Sequence, residues 1–270
     1  MLLAIFYNFR CKITTISPIT QILVNYSPFI CIYPKKAVPL QAMFNIIGDI
    51  HGLDCWKQLV REDATNIFVG DYFDSKDGRS PEQIIANFED IIAFCEAHPG
   101  TVLLYGNHDL NYLLHRDYKS RFSHPEYREQ YRQLLAETES LFYGVAYAVN
   151  ETTIVSHAGV TKEWYEKYIG PYQGESPQVV ARQINELWKR DKNAFTFSSN
   201  ATVEPDVYGV SPTHSPLWIR SWILPQHNLF AHTPVTQIIG HTPHDDITLV
   251  SPRILCVDCL LHKPKSWVIE

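Results

Sequence analysis

The sequence predicts an α/β fold, and three features predict it. Short apolar runs of strand length alternate with longer segments of helical character. The early strand-length runs are predominantly apolar, which suggests a sheet covered on both faces. The composition is 45% hydrophobic and 19% charged over 270 residues, which supplies a substantial core and excludes a disordered chain.

Phe44–Ile47 is the first apolar run and ends at Gly48-Asp49, and Leu53–Arg61 then reads as helix. Ile67–Val69 is the second run, ending at Gly70-Asp71. Ser80 is an N-cap with Pro81 at the first helical position, and the helix is expected to run to about His98, where Pro99-Gly100 stops it. Thr101–Tyr105 is a third strand, closed by Gly106-Asn107-His108-Asp109. The order so far is β-α-β-α-β. A helical stretch over Glu126–Thr138 precedes Val145–Val149 and Thr152–Ser156, whose separation by Asn150-Glu151 signals a hairpin. Helices follow near Lys162–Tyr168 and Pro177–Lys189. The segment 194–233 is aromatic, rich in Pro and Ser, and without clear periodicity. It reads as a long loop or lid carrying Phe195, Phe197, Tyr208, Trp218 and Trp222. Thr236–Ile239, Thr248–Val250, Ile254–Val257 and Trp267–Ile269 close the chain as short strands.

Residues 1–42 differ in kind from the rest. They hold no Asp, Glu or Gly and carry four of the seventeen prolines. MLLAIFYNF lacks a preceding basic region and is followed by Arg10 and Lys12, a poor match to a secretory signal. The expectation is an N-terminal extension outside the domain, arising upstream of Met43; a natural tail and a targeting segment are the alternatives. The domain is expected over 43–270.

Lys+Arg 23 against Asp+Glu 29 gives a net charge of −6, so the chain offers no nucleic-acid platform. Positive charge for an anionic ligand has to be local, and a metal site is the obvious source. No apolar stretch of about 18 residues is free of charges and prolines, so no transmembrane segment is expected. The six cysteines, Cys11, Cys31, Cys55, Cys95, Cys256 and Cys259, are scattered. They read as reduced thiols of a cytoplasmic protein. Cys256 and Cys259 have no second ligand pair with which to bind zinc.

Five strands deliver Asp, His or Asn into the loop that follows: Asp49 and His51; Asp71 and Asp74; Asn107, His108 and Asp109; His157 in SHAG; His241 in GHTP. The carboxyl ends of strands in open α/β sheets converge on one crevice, so these groups describe one polar site. Carboxylate, imidazole and amide together suit borderline divalent ions such as Mn²⁺, Fe²⁺ and Zn²⁺. The donors exceed the needs of one ion, whereas two ions about 3.5–4 Å apart would use them all.

The set GDIHG, GDYFD, GNHD, SHAG and GHTP, spread from about Phe44 to the C-terminus, resembles the calcineurin-like metallophosphoesterase superfamily. In detail it is similar to the phosphoprotein phosphatase branch, which includes serine/threonine phosphatases and diadenosine tetraphosphatases. The resemblance implies a two-layer β-sandwich flanked by helices, with two divalent metal ions, Mn foremost and Fe or Zn as alternatives. It implies Asp49 and His51 on the first ion, Asp71 bridging, and Asn107, His157 and His241 on the second. It further implies His108 as the proton donor to the leaving group, with Asp74 orienting it; Asp109 could share that role. Arg220, in SPLWIRSW, matches the segment that grips phosphate oxygens.

Two departures stand out. Pro243 occupies the place of a second His found in many nucleases of the superfamily, and His244 one residue later reads as a bystander. The arginine that usually follows the second Asp of G-D-x-x-D is absent, leaving Lys76 or Arg79 as substitutes. The expected function is a dimetal-dependent phosphatase hydrolysing a phosphorylated protein or small molecule through metal-bound hydroxide. A dinucleoside polyphosphate hydrolase is the alternative, and a non-catalytic scaffold of the same fold a remoter one.

Overall fold

The computed structural model describes residues 43–114, 123–196 and 210–270. The chain divides into two units, Met1–Leu40 and Gln41–Glu270, and all the described residues belong to the second. The readings made for residues 1–42, Phe197 and Tyr208 lie outside the described residues.

Among the described residues, ten strands form two five-stranded sheets. The first has the order β10-β1-β2-β3-β4, from Ser266–Ile269 (β10), Phe44–Ile47 (β1), Thr65–Phe68 (β2), Val102–Leu104 (β3) and Phe142–Gly144 (β4). Strands β1 to β4 run parallel, and β10 pairs antiparallel with β1. The second sheet has the order β5-β6-β7-β9-β8, from Ala146–Asn150 (β5), Thr153–Ser156 (β6), Thr236–Ile239 (β7), Ile254–Cys256 (β9) and Thr248–Ser251 (β8). Here β6, β7 and β9 are parallel. The hairpin expected around Asn150 is β5–β6. Strand β4 escapes sequence reading because it is only three residues long, FYG, and one of them is Gly.

Strand alternation divides the core. Ile46, Ile67 and Val69 of the first sheet meet Val155, Ile238 and Leu255 of the second, forming the sandwich interior. Their neighbours Ile47 and Phe68 turn outward to α1 (Pro81–Ala97), which packs Ile84, Phe88 and Ile91. Over the second sheet, α5 (Pro177–Arg190) buries Val180, Ile184 and Leu187. This is a mixed α/β sandwich flanked by helices. The other α-helices among the described residues are α2 (Asn107–Leu113), α3 (Arg128–Glu137), α4 (Lys162–Tyr168) and α6 (Leu224–His227).

The capping signal at Ser80 is realised in full. Its hydroxyl accepts from the Gln83 N–H, and the Gln83 side chain accepts from the Ser80 N–H. The helix expected over Leu53–Arg61 is instead one 3₁₀ turn, Cys55–Gln58. Two buried asparagines stop it. Asn45 Nδ2 donates to the Leu59 carbonyl, and Asn66 brackets Arg61 by accepting from its N–H and donating to its carbonyl. These side chains take backbone groups that a continuing helix would have used. In the segment 194–233, Phe195 and Phe230 are fully buried and Trp218 nearly so, while Trp222 is 55% exposed. The first three are packing groups.

Candidate metal centre

The loops after β1, β2, β3, β6 and β7 do converge. Among the described residues, the non-glycine residues with positive φ are His51, Asp71, Asp74 and His241, at 44–66°. Each such residue stores strain of order 1–3 kcal/mol, and all four belong to the set read from the sequence. Two glycines make the convergence possible. A Cβ on Gly106 would lie 2.1 Å from Asp71 Oδ1, and one on Gly240 would lie 2.1 Å from Asp49 Oδ1.

Asp71 stands at the centre. Its Oδ2 is 3.5 Å from His51 Nε2, 3.4 Å from His157 Nε2 and 3.9 Å from His108 Nε2. Two groups able to hold a cation share it: His51, Asp71 and His108, and Asp71, His157 and His241. Burial by itself would raise the Asp71 pKa, but the imidazoles of His157, His108 and His51 outweigh it and hold the carboxyl well below its usual range. Asp49 accepts from the His241 N–H through both oxygens at 3.0 Å and lies 3.9 Å from His51 Nε2. Burial raises its pKa, with His157 opposing.

His51 carries a ring nitrogen available to a cation. Its Nδ1 faces the carbonyls of Phe73 and Asp74, both at 3.0 Å, so the proton sits on Nδ1. Its Nε2 is buried with no hydrogen-bond partner and is left as a bare lone pair. Burial, reinforced by the charge of Lys76, holds this imidazole neutral, far below its usual pKa. Asn107 Oδ1 lies 2.8 Å from both His157 Nε2 and His241 Nδ1. His157 Nδ1 faces the Val69 carbonyl at 2.9 Å. Both ring nitrogens of His157 therefore face acceptors. Burial works against its charge, yet Asp71 and Asp49 raise its pKa to about 9. His241 Nε2 faces the Trp218 carbonyl at 3.0 Å, and burial together with Arg220 keeps this imidazole well below its usual pKa. The donor set fits two divalent ions sharing Asp71.

At the edge of this cluster, His108 Nδ1 donates to Asp74 Oδ2 at 2.6 Å, and the Tyr112 hydroxyl donates to Asp74 Oδ1. Burial disfavours the imidazolium of His108, but Asp71 and Asp74 prevail and raise its pKa. Tyr112 is four residues after His108 on α2, the same helix face, which was the signal that could have found it. Asp109 does not orient His108. Its Oδ2 accepts from the N–H groups of Asp71 and Gly106, at 2.9 and 2.8 Å, and its Oδ1 from that of Tyr72 at 3.0 Å. It is a buried clamp on the loop that carries Asp71.

Arg220 Nη1 donates to the His241 carbonyl at 3.2 Å, which brings the guanidinium to the rim. The two candidate substitutes for the missing arginine part company. Arg79 is engaged by Asp77 at 3.1 Å and Asp54 at 3.4 Å. Lys76 lines a small cavity with Asp49 and His51, and its charge is felt at Asp49, His51, His108 and His241. His244 Nε2 is 3.3 Å from Ser221 Oγ. Cys55, Cys95, Cys256 and Cys259 are free thiols.

A comparison with curated proteins gives no match. Among solved structures, the chain is similar to a protein serine/threonine phosphatase from Saccharomyces cerevisiae with similarity to human phosphatase PP5. The likeness is at 12% identity and a TM-score of 0.46, over 80% of this chain and 66% of that one. The family model for the calcineurin-like phosphoesterases matches residues 43–245, three quarters of the sequence and every strand end that supplies a proposed ligand. The chain belongs to the calcineurin-like phosphoesterase family.

Proposed function

We propose that this phosphoesterase is a dimetal-dependent phosphatase acting on phosphomonoesters, phosphoserine and phosphothreonine among them. The observation that carries the reading is the position of Asp71 Oδ2, within 3.5 Å of an imidazole nitrogen on either side. Asp49, His51 and Asp71 would hold one ion, and Asp71, Asn107, His157 and His241 the other. Bound divalent ions, Mn²⁺ foremost, supply an activated water as nucleophile and Lewis-acid polarisation of the phosphoryl oxygens.

The remaining work falls to the chain's own groups. Arg220 and Lys76 supply the positive charge that a net-acidic protein otherwise lacks, gripping the phosphoryl oxygens as the ester enters. His108, tied to Asp74 through Nδ1, keeps Nε2 directed to the Asp71 side, where its proton can pass to the departing alkoxide oxygen. Tyr112 holds the other oxygen of Asp74 and so fixes the direction in which His108 points. A second reading, dinucleoside polyphosphate hydrolysis, draws on Trp222, which is exposed two residues from Arg220 and offers a face for a nucleobase.

Elemental analysis and a substrate panel test the proposal. The expected result is two ions per chain with turnover of p-nitrophenyl phosphate and phosphopeptides, and loss of both metal and turnover in Asp71→Asn. Asp71→Asn retaining two ions and near-wild-type turnover would sink the bridging assignment. Preference for diadenosine tetraphosphate over every monoester would select the second reading.

A further inference from the structure

Arg220 belongs to 210–223, a stretch with neither strand nor helix. No ladder of backbone bonds sets its place, so bonds to other segments must. The nearest are to the loop after β7. The Trp218 carbonyl faces His241 Nε2 at 3.0 Å, and Arg220 Nη1 donates to the His241 carbonyl at 3.2 Å. The Ser221 N–H donates to Thr242 Oγ1 at 3.1 Å, and Ser221 Oγ is 3.3 Å from His244 Nε2. Trp218, Arg220 and Ser221 are thus fastened to His241, Thr242 and His244.

That loop is itself held on several sides. The Gly240 N–H donates to the His157 carbonyl at 2.7 Å, and the His244 N–H to the Asp258 carbonyl at 2.8 Å. The Cys256 thiol reaches the carbonyls of Gly240 and Thr242 at 3.5 and 3.4 Å. Thr242 is 4% exposed and Ser221 1%, so water does not stand in for the bond between them. A buried N–H deprived of its acceptor has to move to find another.

We infer that Thr242 and His244 are positioning residues for Arg220. The loop that supplies His241 to the metal centre also fixes where the guanidinium stands, because Thr242 accepts the Ser221 N–H and His244 meets the Ser221 hydroxyl. The inference rests on the reading of Arg220 as the grip on phosphoryl oxygens. One bond from a planar guanidinium to the His241 carbonyl sets the plane in which its other donors are presented. Releasing Ser221 turns that plane, and the loss falls on phosphoryl binding while the ligands of the metal centre stay in place.

The test uses the full chain loaded with Mn²⁺. Elemental analysis gives metal content, calorimetry gives the affinity for inorganic phosphate, and p-nitrophenyl phosphate turnover separates KM from kcat. Arg220→Ala is measured first and is expected to weaken phosphate binding at least about tenfold. Unchanged phosphate affinity in that variant overturns the reading of Arg220, and the inference with it. Thr242→Val keeps the shape and removes the acceptor. It is expected to retain two ions, weaken phosphate about 3–10-fold and raise KM in step, with kcat within about twofold of wild type. Thr242→Ser, which keeps the hydroxyl, should bind phosphate within about twofold of wild type. Ser221→Ala removes the tie to His244 and should weaken phosphate about 2–4-fold; it decides the matter if Thr242→Val does not fold. In an Arg220→Ala background neither change should weaken phosphate further, since both act through the guanidinium. Lowered melting of Thr242→Val with phosphate affinity intact overturns the role of Thr242, and intact affinity in Ser221→Ala overturns that of His244. Loss of metal in Thr242→Val, or an undiminished effect once Arg220 is gone, overturns the inference as a whole.

Discussion

His157 and His108 are both buried imidazoles with raised pKa values, yet their neighbours give them opposite tasks. His157 has an acceptor at each ring nitrogen and the carboxylates of Asp71 and Asp49 beside it, which favour the doubly protonated ring in the metal-free protein. A metal ion at Nε2 has to displace one of the ring's two protons. Proton and metal compete, so the apparent metal affinity should rise with pH until about 9, where the proton leaves unaided, and level off above. Calorimetric titration with Mn²⁺ in buffers of differing ionisation enthalpy should also show proton release; pH-independent affinity with no proton release would remove His157 from the ligand set. His108 is different because Asp74 takes its Nδ1, and the proposed ligand set does not include it. His108→Asn should keep both ions and cost roughly 10²–10⁴-fold in rate on alkyl phosphates, whose alkoxide needs a proton. The loss should shrink for p-nitrophenyl phosphate, whose leaving group is stable as an anion. Equal slowing of both substrate classes, or loss of metal, would make His108 a ligand or phosphate binder.

At the scale of elements, the centre depends on how each loop leaves its strand. The loop after β2 turns sharply, with both Asp71 and Asp74 at positive φ. Asp109 offsets that strain by accepting three backbone N–H groups from the loop and from Gly106. Burial, with Asp71 nearby, raises its pKa to about 7, while the N–H groups of Gly106 and Tyr72, from which it accepts, pull the other way. Asp109→Ala should leave those donors unpaired and destabilise the protein by about 2–4 kcal/mol, since each buried orphan costs about 1–3 kcal/mol before relaxation. Metal binding should weaken in parallel, because Asp71 moves with its loop. Urea unfolding of the metal-free variant with a midpoint near wild type would show that the clamp is unimportant.

For the whole molecule, two parallel-centred sheets are stacked so that their strands' carboxyl ends meet. The first sheet brings Asp49, His51, Asp71 and Asn107; the second brings His157 and His241. Every residue assigned a role lies within the unit Gln41–Glu270, and the family match begins at residue 43. Removing residues 1–42 should therefore leave the melting temperature, metal content and kcat/KM of the remaining protein unchanged within error. A truncated protein that fails to fold, or that loses metal or turnover, would assign those residues to the domain.

The sequence by itself determined the α/β class, most strands, the Ser80-capped helix and the residues that meet at the metal centre. It could do so because each of these is local: an apolar run fixes a strand, Gly-Asp or Asn-His marks the loop at its end, and parallel strands have only one end at which to gather. Tertiary structure alone decided which polar group serves which partner. Asp74 and Asp109 are equally plausible neighbours of His108 in sequence, yet one orients it and the other clamps a backbone, because their oxygens meet donors from other elements. Asn45 and Asn66 ended a helix that local propensity favoured, by bonding to carbonyls and N–H groups that the chain brings near only when folded. Lys76 and Tyr112 entered the site for the same reason. Hydrophobic periodicity records which face is buried, whereas a hydrogen bond needs two groups within about 3 Å, and for groups far apart in the chain only the packed fold sets that distance.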